Sequence, residues 1–277
     1  MSFATEPGRP GGPGDDFVAA TATAVVVLDG VTVPEGVDTG CRHGTPWFVR
    51  CLGTRLLGRL ARGTDEPLAA VLASAIRETV RLHGEGCDLT HPGTPSATVA
   101  ILRERDERGD GQVDYLVLAD SAVVLGLSGG VRVVLDERVE RAVAEHRVTT
   151  VMHGWRLRNR PGGFWLAGTC PEAAYQSLTG QVPGADLPRA AVLTDGASRL
   201  VDRFGLVGWQ ALLEILEHDG PAGLLPRVRA AERAGRGYPG KRHDDATAVY
   251  CAFPAGLPAG LSAGRASPRA HQLLPDE

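Results

Sequence analysis

The chain of 277 residues is short of cysteine, aromatic residues and lysine, and it has no long apolar run. No stretch approaches the roughly 20 apolar residues needed to span a bilayer. The N-terminus shows no charge, apolar segment and small-residue cleavage site in the order of a secretory signal. These absences predict a cytoplasmic protein with no membrane partner. The five cysteines, Cys41, Cys51, Cys87, Cys170 and Cys251, are odd in number and form no CxxC pair. That pattern argues against both a disulfide framework and zinc, and predicts reduced thiols. A net charge of only -4 gives no global electrostatic case for nucleic acid. Aromatic residues are 5% of the chain, and Trp47, Trp155, Trp165 and Trp209 read as core rather than as ligand platforms.

What is present is ordinary globular material, 43% hydrophobic and 22% charged. The 36 glycines and 19 prolines crowd the first fourteen residues and the tail after Phe253. We therefore expect a disordered extension over 1–14, one domain over 15–253 and a disordered tail over 254–277. Within the domain, apolar β-branched runs predict strands at 22–28, 97–103, 115–120, 122–127, 131–136, 189–196 and 246–253. Helical spacing of apolar residues predicts helices at 47–62, 67–83, 137–147, 206–220 and 221–235. The charged run from Arg103 to Asp114 reads as a hairpin loop, and 148–188 is mixed, with a short helix at PEAAYQSL. Successive strands with short turns, and helices in pairs, argue for an α+β fold with antiparallel sheets.

Carboxylates recur where these strands meet loops. VVVLDG ends at Asp29, AAVLTDG ends at Asp195, YLVLADS turns at Asp120, and Asp244-Asp245 precede the last strand. Converging carboxylates repel one another unless a cation neutralises them. An all-oxygen donor set suits magnesium or manganese.

In order and spelling, DDFV (15–18), LDG (28–30), TPSATVA (94–100), ADS (119–121), TDG (194–196) and DDAT (244–247) resemble the motifs of the metal-dependent protein phosphatases of the 2C type. The likeness is to a divergent bacterial member. The resemblance spans nearly all of residues 15–253 and implies a four-layer α-β-β-α sandwich, two antiparallel sheets flanked by helix pairs. It implies two Mg2+ or Mn2+ ions and a weaker third. Asp29 would bridge the two ions and Gly30 would offer its carbonyl. Asp195 and Asp244 would ligate, Asp16 would support the water shell, and Asp120 would serve the third ion. The implied reaction is attack of a metal-activated water on phosphoserine or phosphothreonine in a phosphoprotein. Two other readings stand beside it: a binding module of the same fold with little or no turnover, and a small phosphoester hydrolase.

The arginine that commonly precedes the first acidic pair in this family is displaced here, Arg9 being the nearest. Arg199, about one helical turn after Asp195, is the leading replacement as phosphate clamp, with Arg42 second. His43, in the loop after Gly30, reads either as a general acid or as a surface loop residue. His243 and the run from Arg156 to Arg160 read as solvated.

Overall fold

The computed structural model describes residues 1–9, 11–105, 111–235 and 241–253. Side chains alternate in direction along a strand, and this explains why AVVVL is apolar at every position. In strand β3 (Ala24–Leu28), Val25 and Val27 face one core while Ala24, Val26 and Leu28 face another. Both faces of the sheet are therefore covered. One five-stranded antiparallel sheet has the order β2 (Phe17–Ala20), β3, β4 (Val99–Arg105), β5 (Gln112–Leu118), β8 (Leu178–Pro183). The other has the order β1 (Ser2–Glu6), β10 (Ala246–Ala252), β9 (Arg189–Leu193), β6 (Ala122–Leu127), β7 (Gly130–Leu135).

Between the sheets, Val25, Val27, Leu102 and Val117 meet Val123, Leu125, Val192 and Val249. Outside the first sheet, helices α1 (Thr45–Leu60) and α2 (Leu68–Val80) bury Phe48, Leu52, Leu56, Leu72 and Ile76 against Val26, Ile101 and Leu116. Outside the second, α5 (Asp195–Asp202) and α6 (Trp209–Arg233) bury Leu200, Leu212, Leu216 and Val228 against Val124, Ala191 and Ala248. Each such side chain contributes about 1.5–3 kcal/mol when removed from water. The result is the expected four-layer α-β-β-α sandwich. Gly220, with φ 71, breaks α6 at the predicted boundary between its two halves.

Three expectations need correction. Residues 2–6 are no disordered extension; they form β1 and pair with β10 from Ser2↔Tyr250 to Glu6↔Ala246. The prolines and glycines begin only after Glu6, and SFATE is itself free of both. The hairpin loop is shorter than Arg103–Asp114, because β4 and β5 pair as far as Arg105↔Gln112. The buried Arg103–Asp114 ion pair draws those charged residues into the sheet. After the predicted helix that follows Glu137, α3 (Arg138–Glu145), the mixed region contributes β8 and two helical turns of α4 (Val151–Leu157). The predicted tail, 254–277, lies outside the described residues. Among the described residues no helix is long and apolar enough to cross a membrane.

Candidate functional site

At one end of the sandwich, where strands of both sheets run out into loops, lies a cavity of about 690 Å³. Asp29, Gly30, Asp120, Asp195 and Asp244 all line it. Asp29 follows β3, and its amide donates to Thr98 Oγ1 at 3.3 Å while its carbonyl accepts from the Thr98 amide at 2.9 Å. Thr98 Oγ1 lies 2.5 Å from Ser121 Oγ, so a buried hydroxyl pair joins TPSATVA to ADS directly beneath the aspartates. The two Asp-Gly glycines are required by close approach. A Cβ on Gly30 would lie 2.5 Å from the Asp15 carbonyl, and one on Gly196 would overlap the Asp245 carbonyl.

Asp120 follows Ala119, which holds φ 66, with the Ala119 amide directed at Asp136. Asp136 is in turn gripped by Arg138 at 2.7 and 2.8 Å. Asp195 opens α5, and Arg203 donates to its Oδ2 at 3.2 Å. Asp16 sits behind them, one oxygen accepting from Thr247 at 2.7 Å and Thr194 at 3.2 Å. Its other oxygen is buried with no partner. Asp245 ties down the N-terminal segment by accepting from the amides of Gly8 and Asp15 at 2.6 and 2.5 Å.

The electrostatics are those of a cluster short of positive charge. Burial, then repulsion from Asp16, Asp195, Asp120 and Asp244, pushes Asp29 well above the usual carboxylate range. Burial and Asp195 raise Asp120 to about 7. Burial, with Asp245 and Asp195, raises Asp16 to about 7 despite its threonine partners. An all-oxygen set with an unpartnered buried oxygen fits hard divalent cations. Asp244 differs, because protein cations already engage both its oxygens: Arg199 at 2.8 Å and Lys241 at 2.5 Å.

The predicted substrate groups fare less well. Arg199 is 3% exposed and lies outside the cavity, its guanidinium shared between Asp244 and Glu232, each at 2.8 Å. It is a buried ion-pair residue, and no free fork remains for phosphate. Arg42 packs its guanidinium against Gly86, away from the aspartates. His43 is neither a solvated loop residue nor a cavity acid; it stacks on Trp47 with ring centroids 4.1 Å apart, beside Cys41, His83 and Cys87. His243 bonds Glu232 at 2.7 Å. The cations that do line the cavity are Arg9, Arg158 and Lys241. Arg158 is committed to four acceptors, among them the Pro92 and Thr94 carbonyls. That leaves Arg9, and Lys241 where a cation takes its place on Asp244. From the sequence Arg9 is only the nearest arginine to the displaced position and Lys241 carries no assignment, although Lys241 lies three residues before Asp244, where DDAT begins.

None of the curated proteins matches this sequence. Among solved structures, the chain superposes on the catalytic domain of the serine/threonine protein phosphatase PstP in complex with two manganese ions, with TM-score 0.56 and 15% identity, over 90% of this chain and 95% of that one. It matches the PPM Ser-Thr phosphatase MsPP of Mycobacterium smegmatis with TM-score 0.56 and 16% identity, covering 90% and 96%. The serine/threonine phosphatase Stp1 of Staphylococcus aureus gives TM-score 0.57 and 12% identity, covering 91% and 93%. At these identities the superpositions speak to the fold. The family profile described as protein phosphatase 2C matches residues 9–220 of the sequence itself. With that match over most of its length, the chain belongs to the protein phosphatase 2C family.

Proposed function

We propose that the protein is a magnesium- or manganese-dependent phosphatase that hydrolyses phosphoserine or phosphothreonine in proteins. The observation that carries this reading is the crowding of Asp29 by Asp120, Asp195 and Asp244 around one cavity, with Asp16 behind them. Asp29, the Gly30 carbonyl, Asp195 and Asp244 would hold two cations, with Asp16 behind them and Asp120 beside a weaker third. Bound there, such ions offset phosphate charge and make a water acidic enough to react near neutral pH.

The chain's own residues then have distinct tasks. Lys241 and Arg9 at the mouth supply the positive charge that a phosphate dianion needs. Lys241 donates to Thr32 Oγ1 at 2.8 Å as well as to Asp244, so when a cation takes Asp244 the ammonium would keep its Thr32 contact at the cavity. Val139, Val151, Trp155 and Phe164 give the cavity an apolar part of its lining, which would seat the carbon part of a phosphorylated side chain. One observation favours the second reading, a module with weak turnover: Arg199 and Lys241 both compete with a cation for Asp244.

The deciding experiment titrates Mn2+ into the protein with an aryl phosphate and a phosphothreonine peptide assayed side by side. The proposal expects metal-dependent turnover of both. Calorimetric manganese binding without turnover of either would establish the binding module instead. Turnover of the aryl phosphate alone would point to a small phosphoester hydrolase.

A further inference from the structure

A second cluster lies outside the aspartate cavity, and its chemistry differs. Cys41 and His43 sit in the loop that leads from Gly30 into α1, and His83 and Cys87 follow α2. The ligand-type atoms of these four residues all lie within 4.8 Å of one another, a grouping unique among the described residues. Cys41 Sγ is 3.7 Å from His43 Nδ1, 3.4 Å from His83 Nδ1 and 3.5 Å from Cys87 Sγ. Cys87 Sγ is 3.3 Å from His43 Nδ1.

These separations can be compared with what a metal demands. With Zn–S near 2.3 Å and Zn–N near 2.0–2.1 Å, a tetrahedral two-sulfur, two-nitrogen site has edges of about 3.3–3.8 Å. The four measured edges fall in that range. The triangle of Cys41, His43 and Cys87 donors has a circumradius of about 2.0 Å, so an ion at bonding distance sits just off its plane, on the side of the fourth ligand.

The surroundings are those of a ligand set. The His43 amide points at Cys41 Sγ at 3.5 Å, so the C-x-H turn is closed on its own sulfur. Trp47 stacks on His43 and meets His83 nearly at right angles, 4.8 Å between centroids, which fixes both imidazoles. The Asp88 amide donates to the Gly40 carbonyl at 2.7 Å, so the two ligand-bearing loops are joined next to the cysteines. Two thiolates would balance the charge of a divalent ion, making the whole group electrically neutral in a half-buried place.

We propose that Cys41, His43, His83 and Cys87 bind one zinc ion in a closed, structural site. Four protein ligands leave no open position for substrate, so the ion's role is a cross-link. It clips the loop entering α1 to the loop leaving α2, closing a segment of some 40 residues in which α1 and α2 form a helical hairpin. That loop also supplies Val31, Thr32 and Pro34 to the cavity wall, so the clip steadies one side of the aspartate site. The sequence expectation of no zinc looked for CxxC; the pattern here is C-x-H followed, after 39 intervening residues, by H-x3-C.

The test is metal analysis of protein purified without a polyhistidine tag and washed briefly with EDTA. The proposal expects about one zinc per chain, with X-ray absorption showing two sulfur and two nitrogen neighbours at about 2.3 and 2.0–2.1 Å. Cys87→Ser should carry almost no zinc, while Asp29→Asn should retain the full amount, which separates this site from the aspartate centre. If Cys87→Ser fails to fold, the absorption spectrum of the unaltered protein decides. A Cys41–Cys87 disulfide in the unreduced protein would overturn the proposal. So would clearly substoichiometric zinc with both thiols alkylated equally fast whether or not zinc is added.

Discussion

Replacing Arg199 with alanine distinguishes a phosphate clamp from a structural ion pair, and the two predict different measurements. The guanidinium is buried and makes two charge-assisted bonds of 2.8 Å, to Glu232 and Asp244, with weaker contacts to the Lys241 and Arg242 carbonyls. Removing one partner of a buried pair costs about 3–5 kcal/mol, because the remaining charge stays desolvated. Here Glu232 keeps Arg229 and His243, and Asp244 keeps Lys241. Those partners move the expected loss to the low end, about 3 kcal/mol. At roughly 2–4 °C per kcal/mol for a domain of this size, Tm should fall by about 6–12 °C. Arg199→Lys should recover part of it, since an ammonium reaches one carboxylate but not both in the same geometry. Urea denaturation in chelator, beside phosphopeptide kinetics, provides the assay. A loss under about 1 kcal/mol with a large rise in KM would refute the structural role and restore Arg199 as a substrate residue.

Asp29→Asn and Asp195→Asn should each reduce turnover by orders of magnitude with the fold intact by circular dichroism, whereas Asp120→Ala should lower it only in part; equal losses in all three would place Asp120 in the central pair. Lys241→Met should tighten manganese binding by calorimetry, by freeing Asp244, and raise KM for a phosphopeptide; unchanged values of both would remove Lys241 from the site. In chelator, stability should fall as pH rises from about 4 to 7. Asp120 titrates near 7 when folded and near 3.8 when unfolded, so the folded state holds the extra proton in that window and loses its advantage as the pH passes 7. The loss from Asp120 is roughly 4 kcal/mol at most, and saturating Mg2+ should abolish it; chelated protein that is more stable at pH 8 than at pH 5 would contradict the argument. Deleting residues 1–6 removes β1 and the Glu6 partner of Arg229, and should lower Tm by several degrees; an unchanged Tm would mean the strand adds nothing.

The layers of this fold were readable because its strands are short, apolar and separated by turns, and because Gly220 and the Asp-Gly pairs punctuate the chain where the backbone needs them. The convergence of Asp29, Asp120 and Asp195 was equally open to inspection, since each ends an unmistakable strand. The fate of Arg199 was not. Sequence distance put it one turn from Asp195, but the face of α5 that carries Arg199 is the buried one, turned toward Glu232 of α6. β1 was hidden by its neighbours, because a window over fourteen residues averages SFATE with the proline and glycine that follow. The Cys41, His43, His83 and Cys87 cluster needed the α1–α2 hairpin, which brings together residues about 40 apart, and local spacing carries no sign of that closure.

The central claim is that the cavity aspartates bind divalent cations. Its most direct test is anomalous diffraction from crystals grown with Mn2+, recorded on both sides of the manganese edge. The account predicts manganese peaks in contact with the Asp29 carboxylate, one of them shared with Asp195, and Lys241 withdrawn from Asp244. Crystals at saturating manganese with no anomalous peak at Asp29, and with Lys241 still bonded to Asp244, would contradict it.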